Sequence, residues 1–76
     1  MIDLYDAIVD ELMEAFNKQN MPNRKYIRER IKQKHSHLIH PQLDLYIGRI
    51  LNKLVTDGLL QRISGKYYAP GDKNRK

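Results

Sequence analysis

The apolar positions of this chain change rhythm once, and the change divides it. Leu43, Ile47, Ile50, Leu51 and Leu54 fall at spacings of four, three, one and three residues. At about 100° per residue these side chains form one stripe, so the spacing predicts an amphipathic helix over residues 41 to 57 with the stripe inward. Pro41 suits the first helical position, where the missing N–H would be unpaired anyway, and Gly58 supplies the left-handed residue that ends helices easily. Beyond Gly58 the rhythm shortens. Leu60 to Ile63 and Lys66 to Ala69 read as two strands joined by Ser64-Gly65, a two-residue link containing glycine that favours a tight hairpin. Such a ribbon is not stable alone and must lie on the helices.

Upstream, residues 2 to 18 repeat the helical rhythm. Leu4, Tyr5, Ile8, Leu12, Ala15 and Phe16 share one face, and Asp3, Asp6, Asp10 and Glu14 the other. Ile2, Val9 and Met13 widen the apolar side into a flank that the returning strand or the tail can cover, or that a partner can use. Asn23 can cap a second helix over residues 24 to 34, with Ile27 and Ile31 inward and Tyr26 beside them. Between the second and third helices, Leu38 or Ile39 is expected to plug the core. The predicted fold is mainly α with a small β-hairpin, a winged helix-turn-helix of three helices and a two-stranded wing. Residues 1–69 form the domain, and residues 70–76 read as a flexible basic tail.

Composition narrows the options. Seventy-six residues, 41% of them hydrophobic, supply one core and no enzyme-sized cleft. There is no cysteine, so the fold stands on packing without disulfides or thiolate metal sites. No apolar run approaches a membrane span, and the start is acidic where a signal peptide is basic, so an intracellular protein is expected, nuclear if its source is a eukaryote. The formal charge of +5 is unevenly spread: residues 1 to 20 hold five acids against Lys18, a net −4, while the rest holds 13 Lys or Arg against 4 acids, a net +9. Such asymmetry turns one side toward a polyanion and the other away from it.

Candidate chemistry follows the basic side. Gln42, Leu45, Arg49, Asn52, Lys53 and Thr56 project opposite the stripe of the third helix. Arg and Lys there reach guanine or phosphate, and Asn and Gln can bond the edge of adenine, so Gln42, Arg49, Asn52 and Lys53 are candidate groove contacts. A polar outer face is equally what any solvated helix carries. Arg24, Lys25, Arg28 and Lys32 point outward from the second helix, and Arg62, Lys66 and Tyr67 lie near the wing tip. His35, His37 and His40 invite a zinc reading, but without cysteine or a fixed scaffold they read instead as groups that add charge near an anion when protonated. No phosphate-cradling glycine loop, Ser/His/Asp set or carboxylate pair suggests catalysis, so no enzyme, metal or cofactor is expected.

The stretch Ile47-Gly-Arg-Ile-Leu-Asn-Lys-Leu-Val-Thr-Asp-Gly-Leu-Leu-Gln61, with Tyr5-x-x-Ile8 and Lys25-Tyr-Ile27, resembles the globular domain of linker histones. It also resembles the related winged helices of SAM-domain chromatin proteins and MYST-type acetyltransferases that bind unmethylated CpG DNA. The likeness runs from Tyr5 to Ala69 and implies a DNA-facing role for Arg49, Asn52 and Lys53. The chain departs from linker histones at Gly48, where they carry a basic residue, and in a wing shortened to Ser64-Gly65-Lys66. The expectation is a monomeric duplex-DNA-binding domain of chromatin or transcription regulation, with the third helix in the major groove. The rival is a winged helix that docks a protein through Ile2, Val9 and Met13, or through Leu45 and Tyr46, within a larger assembly.

Overall fold

The computed structural model describes residues 2–70; the tail expected over 70–76 lies, apart from Pro70, outside them. Helix α1 spans Leu4–Asn17, α2 Arg24–Lys34 and α3 Leu43–Thr56, followed by strands β1 (Gln61–Ile63) and β2 (Lys66–Tyr68). This is the winged helix-turn-helix that the apolar rhythm predicts.

Each boundary has a local cause. The Asp3 carboxylate accepts from the Asp6 N–H at 2.9 Å, and Asn23 Oδ1 accepts from the Tyr26 N–H at 2.7 Å, so both first turns are capped by their own sequence. Helix α3 begins two residues later than its proline suggests. The Leu43 N–H donates to the His40 carbonyl at 3.0 Å, closing a turn over Pro41 and Gln42, and the helical pattern starts with Tyr46 N–H to Gln42 C=O at 3.1 Å. Pro41 therefore lies in the turn and not at the first helical position. Gly58 has φ +81°, as its helix-ending role requires. Ser64 (φ 54°) and Gly65 (φ 79°) are both left-handed, the pattern of a type I′ hairpin turn.

The core is one cluster to which every helix and the hairpin contribute, from Ala7, Ile8 and Leu12 through Ile27, Ile31, Ile47, Leu51 and Leu54 to Leu60 and Tyr67. Between α2 and α3 a single 3-10 turn at Ser36–Leu38 brings Leu38 against the core and leaves Ile39 half exposed. The hairpin is fastened to the helices by backbone. Asn23 and Lys66 form an isolated antiparallel bridge, and the Tyr67 N–H donates to the Pro22 carbonyl at 2.8 Å. No helix among the described residues is long and apolar enough to cross a membrane.

Candidate nucleic-acid interface

Three segments far apart in the chain meet at one polar concavity. The start of α2 brings Asn23, Arg24 and Lys25, α3 brings Gly48 and Asn52, and the wing brings Arg62, Gly65 and Tyr67, enclosing about 360 Å³. The Asn23 cap aims the first turn of α2 into this space, adding the partial positive charge of a helix N-terminus to the side chains. Gly48 is buried within α3 because Arg24 crosses it: a Cβ there would meet Arg24 Nη1 at 2.9 Å.

Charge in and around the concavity is partly neutralised. Arg24 Nη2 lies 3.7 Å and Arg28 Nη1 3.6 Å from the two oxygens of Asp44. Lys25, Lys32, Arg62 and Lys66 form no ion pair among the described residues. Arg28 is less available than its sequence position suggests, because it also approaches Glu29 at 3.5 Å and its Nε is buried without a partner.

The remaining expected contacts lie on the outer face of α3, beyond the concavity. Arg49 sits over the Tyr46 ring at 6.0 Å, Lys53 pairs with Asp57 at 3.5 Å, and the Tyr46 hydroxyl donates to Gln42 Oε1 at 3.1 Å. Tyr67 requires correction as a wing-tip contact. It is 3% exposed, a core residue whose ring faces the concavity from below. The register explains this: Tyr67 pairs with Arg62, and strand alternation sets that pair on the same inward side as buried Leu60. Asn23, Gly48 and Gly65 join the site unforeseen, although a glycine inside a regular helical stripe is a sign of close approach.

The acidic side of α1 holds a second cluster. Glu11, 2% exposed, receives Arg30 Nε at 3.0 Å, with His35 Nε2 at 3.5 Å and Lys34 Nζ at 3.9 Å from its other oxygen. Glu14 takes Lys34 and Arg30, each at 3.2 Å, and Lys18 at 3.4 Å. Hydrogen bonds from Lys34 and then Lys18 hold the Glu14 carboxyl down at about 2, and the bond to Glu11 raises the Arg30 guanidinium above its ordinary value. Lys34 thus turns toward α1.

The histidines are separately engaged. His35 faces Glu11, His37 Nε2 is 3.0 Å from the Ile2 carbonyl, and His40 Nδ1 accepts from the Gln42 N–H at 3.2 Å. Among the described residues no group of three or more His, Cys, Asp or Glu could hold a metal ion.

Of the two apolar surfaces considered for a partner, Leu45 is 50% and Tyr46 36% exposed on α3, and Ile2 packs against the core. Val9 and Met13 open instead into an apolar groove on the far side of α1. The fold and this surface define a winged helix-turn-helix with a cationic concavity where α2, α3 and the wing meet. Comparison with protein-family models, curated proteins and solved structures gives no match.

Proposed function

We propose that the protein binds duplex DNA through its α2–α3–wing surface. The observation that carries this reading is the convergence of Arg24, Lys25, Asn52 and Arg62, from three separate elements, on one polar concavity. A merely solvated surface has no need to gather cations from distant segments beside a helix N-terminus, where phosphate is favoured. Lys25 and Arg62, with Arg24 beside them, hold the sugar-phosphate backbone. Asn52, Arg49, Lys53 and Gln42 face the major groove along α3, and Lys32 and Lys66 extend the positive surface on either side. Phosphate contacts fix the position of the domain, and only the α3 face can discriminate bases. The resemblance to linker-histone domains supports the same reading, in chromatin or transcription regulation, with shape and charge outweighing sequence.

A titration of the full chain with mixed-sequence duplexes at several salt concentrations tests this. Binding should weaken linearly on a log–log plot, with a slope of about −0.9 for each phosphate neutralised. Absence of binding even at low ionic strength would eliminate the proposal.

A further inference from the structure

We infer that the groove between α1 and the C-terminal end of α3 docks an amphipathic segment of another protein, apolar along one face and cationic along its edge. Val9, Met13 and Phe16 form one wall, Leu54 and Leu59 the other, and Pro70 closes one side, enclosing about 390 Å³ with an almost wholly apolar lining. The returning strand does not cover this surface, since Met13 is 59% and Leu59 52% exposed. The tail offers it nothing apolar, because Gly71-Asp-Lys-Asn-Arg-Lys76 contains no apolar side chain. Surface of this kind gains by leaving water in proportion to its area, and residues 2–70 leave it uncovered.

Charge selects the occupant. Asp6 and Asp10 stand three residues before Val9 and Met13, so on α1 they form the row bordering the groove. Neither forms an ion pair among the described residues, whereas Glu11 and Glu14 further round the helix are already matched by Arg30, Lys34, His35 and Lys18. The opposite wall is the C-terminal, electronegative end of α3. A second copy seated symmetrically would bring the two Asp6–Asp10 rows together and be repelled. The outward residues of this chain's own α2 carry cations but no apolar ridge. The groove follows α1 from Tyr5 to Phe16, about 16 Å at the helical rise, which suits roughly three turns of a helix anchored at i, i+3 or i+4, and i+7. No residue lining the groove lines the cationic concavity, so this inference stands apart from the DNA reading.

The probe is a pair of synthetic helical peptides with the same leucine face, one carrying lysines on its polar face and the other glutamates. Titrated into the isotope-labelled full chain, the lysine peptide should shift the resonances of Val9, Met13 and Leu59 and bind at least tenfold tighter than the glutamate peptide. Met13→Glu and Leu59→Lys, both at exposed positions and checked by thermal melting, should each weaken it tenfold or more with DNA affinity unchanged. The double change Asp6→Asn and Asp10→Asn should narrow the gap between the peptides. Equal binding of both peptides, or shifts confined to the Glu11–Glu14 side, would overturn the inference. So would self-association of the chain that Met13→Glu abolishes, or binding of an uncharged apolar ligand in preference to either peptide.

Discussion

Gly58 and Gln19 both have left-handed backbone and set local stability in opposite directions. At Gly58, φ +81°, valine would force a β-branched side chain into a region that L-residues avoid. Gly58→Val should destabilise by more than about 1 kcal/mol, measured by urea unfolding. A variant that unfolds like the parent would mean the turn does not need this conformation. Gln19 occupies the same region at φ 56° without being glycine, at the end of α1. Relief of that strain outweighs the extra freedom glycine gives the unfolded chain, so Gln19→Gly should stabilise by up to about 1 kcal/mol. Asp44 acts on binding instead. Its carboxylate faces both Arg24 and Arg28, and Asp44→Asn removes the neutralising charge while keeping the shape. DNA affinity should rise severalfold at low salt and converge on the parent's as salt screens the difference.

Between elements, α1 and α2 are joined by charge as well as by apolar packing. Glu11 is buried and Arg30 gives it its shortest contact, 3.0 Å, so Arg30→Ala leaves that carboxylate only His35 at 3.5 Å and Lys34 at 3.9 Å and should lower the melting temperature. Replacing the pair together, Glu11→Leu with Arg30→Met, should cost less than that single change, because no buried carboxylate remains. Glu14 adds a pH dependence of definite sign. Its folded value of about 2 lies below the ordinary 4.5, so its contribution is complete above about 4.5 and is lost as pH falls toward about 2. Glu14→Gln should flatten the acid limb of a melting-temperature profile across that window. Elements whose causes are local were legible in the sequence: the stripe from Leu43 to Leu54, the Asn23 cap, the Ser64-Gly65 turn. The Glu11–Arg30 pair was not, since 19 residues separate its members and only the packing of α1 on α2 unites them. Nor was the joining of Asn23 and Gly48 to Arg62. Tyr67 was readable in principle, through its register with Arg62, but hydroxyl character and nearness to the turn suggested exposure.

For the whole molecule, the separation of acidic α1 from the basic remainder fixes how it would approach a polyanion. Lys25→Ala and Arg62→Ala each remove an unpaired cation from the concavity. Each should lower affinity on every duplex and reduce the salt slope by about 0.9. Arg49→Ala discriminates between modes: loss of a bidentate base contact costs about 1–3 kcal/mol at preferred sites, whereas a shape-and-charge binder loses affinity uniformly. Replacing Asp6 and Asp10 should leave sequence preference untouched, since they border the groove on the far side of α1. A change in preference would place the DNA on the wrong face.

The bond from the Tyr67 N–H to the Pro22 carbonyl links residues 45 positions apart in the chain. A short hairpin should fray, and most of its amides should exchange with solvent through small local openings. Tyr67 is held differently, because freeing its amide breaks the bond to Pro22 and disturbs a core ring beside the start of α2 and the middle of α3. Its hydrogen exchange should therefore track global unfolding, leaving one slow amide inside an otherwise fast wing. Closing so long a loop also has an entropic cost that is offset only once the helices are in place. The wing should consequently form late in refolding, and Tyr67→Ala should accelerate unfolding far more than it slows folding.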